Sequence, residues 1–262
     1  MKKIILAVFL VSIFGIGAWY AQEKFKGLSL NNEDVTSGEV NDGSNAANMG
    51  DDLIKSKFSK SEPDLLQEEA IRLARRPIIA VGGISETSLA SAKAKINNAV
   101  NLIEANYDYD ASWLELGAYR RMIGDNDGAL EAWHFLSKIR PNAFVAYHNI
   151  GDLYAFTIRD YDQGEKYLLK SIAVGPGNIQ GYMALTNLYS IPEFGKQEEA
   201  PKVLLKGIAN NPEHSDLYLI LGGYYRDNGD IANAILYFEK SLLLDPGNAR
   251  VREEVSALKA RQ

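Results

Sequence analysis

At 262 residues, with 46% apolar and 24% charged side chains, the chain has the composition of a folded protein, with room for one large domain or two small ones. Its formal net charge of −6 argues against nucleic acid as a partner, because phosphate backbones select a surplus of Lys and Arg. With no cysteine and only His134, His148 and His214 as histidines, disulfides and thiolate metal sites are excluded, and neither a metal nor a cofactor is expected.

The N-terminus reads MKKIILAVFLVSIFGIGAWYAQEKF. Lys2 and Lys3 form a short cytoplasmic n-region (1–3), and an apolar segment runs over 4–21. The uncharged run from Ile4 to Tyr20 would span about 25 Å as a helix, slightly less than the roughly 30 Å of a hydrocarbon core. Trp19 and Tyr20 suit an interface at its far end and favour an uncleaved anchor. Gly15 and Gly17 offer the alternative of a cleaved secretory signal. Both readings place the rest of the chain outside the cytoplasm, held at the cytoplasmic membrane or secreted.

Residues 22–61 include NNEDVTSGEVNDGSNAANMGDD, a polar stretch too poor in large apolar groups to offset its conformational entropy, and predict a disordered tether. Over 62–109, PDLLQEEAIRLARR and ETSLASAKAKINNAVNLIEAN carry apolar residues at three-to-four spacing and predict two helices around a Pro/Gly turn. They are expected to cap the helical segments beyond residue 109.

From residue 110 the chain repeats itself. Pro141, Pro176, Pro212 and Pro246 are separated by 35, 36 and 34 residues, and each closes an apolar-periodic segment. Upstream of them stand SWLELGAY, AYHNIGDLY, GYMALTNLY and DLYLILGGYY, each an aromatic followed three residues on by an aliphatic. A period near 34 with two helices per unit marks a solenoid. Here the sequence resembles the tetratricopeptide repeat family, over 110–143, 144–178, 179–214 and 215–248. The last unit matches through Tyr218, Leu221, Gly222, Tyr225, Ala234, Phe238, Ser241 and Pro246. The first departs at Arg120, where the family has tyrosine, and at Leu136, where it has a small residue. The second carries one extra residue near Ile158-Arg159, and the third has Thr186 for glycine and two extra residues in IPEFGKQ.

The resemblance implies an all-α helix-turn-helix solenoid, a right-handed superhelix of four repeats with helical caps. Gly117, Gly151 and Gly222 would allow close helix approach over Ala129, Gly164 and Ala234, and Trp113, Tyr147, Tyr182 and Tyr218 would fill the space between hairpins. The segment 249–262, with Val251, Val255 and Leu258 in a narrow stripe, is expected to close the open end.

No Gly-x-Ser-x-Gly elbow, P-loop, His-Glu-x-x-His or cysteine nucleophile is present, so no catalytic residue is expected. The family resemblance implies a concave face lined by the first helix of each hairpin. Carried onto this chain, it offers Leu114, Ala118, Arg121 and Met122, then His148, Asn149, Asp152 and Phe156. Gln180, Met183 and Asn187 come from the third repeat, and Leu219 and Arg226 from the fourth. The lysines with which some members grip a terminal carboxylate are absent, since Leu114, His148, Met183 and Leu219 hold that position. The expected function is a non-catalytic scaffold whose groove binds an extended, partly apolar peptide or partner segment in envelope assembly. A self-assembling subunit and an accessory domain of an enzyme complex are the alternatives.

Overall fold

The computed structural model describes residues 61–261, so the n-region, the 4–21 segment and the tether up to residue 60 lie outside the described residues. Among the described residues there are eleven α-helices and no strand. Two helices precede the repeats: α1 (Glu62–Ala74) and α2 (Glu86–Ala105). Four hairpins come next, α3 (Asp110–Met122) with α4 (Asn126–Ile139), and α5 (Phe144–Asp152) with α6 (Tyr161–Val174). The third is α7 (Ile179–Tyr189) with α8 (Ala200–Asn210), and the fourth α9 (Ser215–Asp227) with α10 (Ile231–Leu244). The last helix is α11 (Ala249–Lys259). Each helix packs chiefly on its neighbours in sequence, which makes the array an all-α solenoid of helix hairpins with a helix at each end. None of these helices is long and apolar enough to cross a membrane.

Local chemistry repeats with the hairpins. Asp125, Asp160 and Asp230 each stand just before the second helix of a hairpin and accept from the backbone N–H three residues on, at 3.0 to 3.1 Å. Such caps satisfy orphan donors and stabilise a helix by about 1 kcal/mol each. The turn between the paired helices runs through one left-handed residue in every hairpin: Gly124, Arg159, Gly195 and Gly229, with φ of 82°, 65°, 68° and 79°. Arg159 is the one non-glycine among them, and it comes after a π-helical turn over Leu153–Ile158. That turn absorbs the extra residue of the second repeat and points both Leu153 and Ala155 inward, at 0% and 1% exposure. In the third hairpin the two extra residues form 3₁₀ turns over Pro192–Phe194 and Gln197–Glu199, and Pro201 begins α8 in place of an aspartate cap.

Gly117, Gly151 and Gly222 do sit at close contacts, and a large side chain of the second helix is the nearest partner of each. A Cβ on Gly117 would stand 2.3 Å from the Trp133 ring, and one on Gly222 would stand 2.6 Å from Phe238. In both hairpins the large aromatic of the second helix lies across the glycine. Gly151 comes closer to expectation, with Leu168 at 2.8 Å and the Gly164 carbonyl at 3.1 Å. Trp113, Tyr147 and Tyr182 are buried between hairpins, whereas Tyr218 is only half-buried and its hydroxyl donates to the Pro212 carbonyl at 3.0 Å.

Arg120, the first repeat's departure from tyrosine, is 1% exposed and holds the leading helices. Its guanidinium donates to the Ala74, Arg76 and Pro77 carbonyls at 3.2, 2.7 and 3.3 Å, and to Asp125 at 2.6 Å. The carbonyls ending α1 have no intrahelical donors, and a forked cation supplies several at once. The loop after α1 is pinned again where Val81 N–H donates to the Ile123 carbonyl at 2.9 Å.

Candidate peptide-binding groove

The first helices of the hairpins (α3, α5, α7 and α9) carry the residues singled out for the concave face. In the first repeat, Ala118 and Met122 are exposed, and Leu114 is half-buried against the N-terminal core. The Leu114 carbonyl also accepts from the Trp133 indole N–H at 3.3 Å. Arg121 does not stand free: its guanidinium pairs with Asp152 of the second repeat at 2.7 Å, bridging two hairpins. His148 shares this neighbourhood, and burial pushes its imidazolium pKa down, with Asp152 opposing and Arg121 reinforcing the shift. Its Nδ1 is buried without a hydrogen-bond partner. Asn149 is half-buried beside it.

Phe156 falls inside the π-helical turn, where the repeat register carried over from the family does not hold; it is 38% exposed. Further along, Gln180 and Asn187 are exposed, and Met183 is half-buried against the second core. Leu219 packs on the core of the last hairpin. Arg226 is committed like Arg121, to Asp227 at 2.8 Å and to Glu254 of α11 at 3.4 Å. Both arginines of the expected face are thus engaged in ion pairs with carboxylates of the chain.

The structure gathers the later residues around two clefts. One, of about 370 Å³, lies between α7 and α9 and is lined by Asn187, Gln197, Ile220, Gly223, Tyr224 and Asn228, among others. The other, of about 350 Å³, lies between α9 and α11 and is lined by Leu219, Gly223, Arg226, Arg250, Val251 and Glu254, with Phe238 and Asn248. Gly223 borders both. The sequence reading missed Gln197, Gly223, Asn228, Arg250 and Glu254. Gln197 comes from the irregular loop, and Arg250 and Glu254 come from the end helix, where the repeat offers no register. Gly223 could have been found as a second mid-helix glycine beside Gly222. Among the described residues no three His, Asp or Glu side chains converge as a metal site. What this surface offers chemically is neutral amides and hydroxyls between apolar patches, with its charges mostly paired.

The Tetratricopeptide repeat family matches residues 145–177 and 215–248. Protein FlbA of Caulobacter vibrioides is 26% identical over 148 residues, which are 56% of this chain and 24% of FlbA, so the chain spans about a quarter of the length of that relative. Among solved structures, MamA aligns with 21% identity and a TM-score of 0.49, over 65% of this chain and 99% of MamA. YrrB, described as a repeat protein of this kind with an unusual peptide-binding site, aligns with 16% identity and a TM-score of 0.46, over 62% and 82%. TTC0263, a thermophilic protein of Thermus thermophilus, aligns with 15% identity and a TM-score of 0.47, over 74% and 99%. The matched segments coincide with the second and fourth hairpins, which are the two that match the Tetratricopeptide repeat.

Proposed function

We propose that this protein is a non-catalytic scaffold whose first-helix face binds an extended, partly apolar segment of a partner protein outside the cytoplasmic membrane, in the assembly of the cell envelope. The observation that carries the groove is the set of uncommitted carboxamides along it. Asn149 and Asn187 make no side-chain hydrogen bond among the described residues. A carboxamide both donates and accepts, so it can serve a peptide main chain whatever its side chains. Half-exposed Leu114 and Met183 and exposed Met122 add adaptable apolar contact. Export and membrane anchoring rest on Lys2, Lys3 and the apolar run after them.

Affinity capture from a membrane fraction tests the groove. Asn149→Ala with Asn187→Ala should weaken recovery of the partner while leaving helicity and melting temperature close to wild type. Unchanged capture by that double variant, with loss on changing the outer helices, moves the site to the convex face. Protease added to intact spheroplasts tests the location: residues 62–262 should be digested without lysis, and protection until lysis would place them inside.

A further inference from the structure

A glycine inside a helix costs roughly 1 kcal/mol relative to alanine, so each one calls for a local reason. Every other helical glycine among the described residues has one, a neighbour within 3.0 Å of where its Cβ would stand. Gly223, in the interior of α9, has no atom within 4 Å of that point, and its backbone is ordinary right-handed helix. Nothing in the chain's own packing requires it. What a bare helix surface admits is the close approach of another backbone.

The surroundings of Gly223 say which. On its α7 side, Asn187 and Gln197 are carboxamides without side-chain partners among the described residues, and the one charged group in the cleft, Asp227, pairs with Arg226. On its α11 side, Arg226 is spent on Asp227 and Glu254, which leaves Arg250 as the uncommitted cation, with no ion pair or hydrogen bond from its side chain among the described residues. Neutral amides suit a main chain, and a forked cation suits a carboxylate. Leu219 and Val251 supply an apolar floor between them.

We propose that an extended peptide crosses the protein at Gly223, its main chain against α9 and hydrogen-bonded to Asn187 and Gln197, its carboxylate seated at Arg250. This deepens the groove reading and rests on it: it names the crossing point, the direction and one required chemical group of the ligand.

The test uses dodecapeptides selected from a random display library on the full chain in mild detergent, resynthesised with a fluorescein label and titrated by polarisation. Gly223→Leu should melt at or above wild type yet bind at least about tenfold more weakly, a loss equivalent to about 1.4 kcal/mol. Should the leucine lower the melting temperature, Gly223→Ala decides, because its methyl meets nothing in the chain. It is expected to melt no lower than wild type and to bind about threefold more weakly. Binding of either stable variant equal to wild type, while Asn187→Ala weakens it, overturns the crossing point and leaves the groove standing. Binding unchanged in all of them, or enrichment of no peptide over the Asn149→Ala, Asn187→Ala variant, overturns both. Selected peptides should carry an acidic residue or depend on a free C-terminus. Asp→Asn and C-terminal amide versions separate those two sources, and Arg250→Gln should abolish the preference for whichever it is. A preference that survives Arg250→Gln overturns the carboxylate seat.

Discussion

The two ends of the solenoid are closed by different physics. At the N-terminal end, α1 is held by one buried cation that bonds three backbone carbonyls and Asp125 at once. At the C-terminal end, α11 rests on the stripe of Val251, Val255 and Leu258, at 3%, 7% and 2% exposure, and on surface pairs such as Lys259 with Glu239 at 2.7 Å. Pairs of that kind contribute little, because solvent screens them and two long side chains must be ordered. The first closure is directional and geometry-bound; the second is an apolar contact that tolerates sliding. The second is the end where the Gly223 clefts lie.

Removing the hub should produce the largest effect. Arg120→Met keeps much of the volume but leaves Asp125 and the ends of α1 without their donor, at a cost of about 3–5 kcal/mol. Arg76, with its Nε 3.6 Å from Asp125, should hold the loss toward the lower end. Denaturant unfolding measures it, and limited trypsin digestion should show early cutting after Arg72 and Arg75, the bond after Arg76 being protected by Pro77. A loss no larger than that of an exposed substitution would mean that α1 is held by its apolar contacts instead. At the other end, Leu258→Ala should cost about 2 kcal/mol, the low side of buried leucine truncations, because a rim position collapses easily. Hydrogen exchange should then show α10 and α11 opening with α1 to α4 still protected. Loss of protection along the whole chain would erase the distinction between the ends.

Acid should act on the same contrast, more weakly. His134, edge-on to Tyr167 at 5.3 Å, and His148 both belong to the first two repeats, and burial is the main cause holding both pKa values below the ordinary histidine value. A positive Lys166 reinforces the shift at His134, while Asp152 opposes and Arg121 reinforces it at His148. Because the folded values lie below the unfolded one, the unfolded chain takes up these protons first. Their contribution is present above the unfolded pKa, near 6.5, and is lost as pH falls through the folded values. The melting temperature should therefore drop between about pH 7.5 and about pH 5. His134→Gln with His148→Gln should flatten that dependence, and an equally steep dependence in the double variant would assign it to carboxylates.

Much of the architecture was legible because it is written periodically. A proline every 34 to 36 residues, an aromatic and an aliphatic three apart, and an aspartate at three of the four second-helix starts are local signals that recur in phase. Where the period slipped, the reading could locate the disturbance but not its form. One extra residue near Ile158 could equally have lengthened a loop, and it became a π-helical turn with Arg159 left-handed. The groove shows the same boundary. The family resemblance placed Asn149, Asn187, Arg121 and Arg226 on the concave face, yet a repeat register carries no information about which charges meet across hairpins.

The sequence by itself determined the hairpins, their number and their order, because helix periodicity, caps and turn residues act within a few positions along the chain. Only the tertiary structure decided that Trp133 and Phe238 lie over the glycines, that Arg120 is a buried hub, and that Arg121 and Arg226 are spent on carboxylates. It also decided that Gly223, alone among the helical glycines of the described residues, faces open space. Each of these depends on distances between residues far apart in the chain, set by how stacked helices rotate against one another, and a local pattern has no term for that rotation.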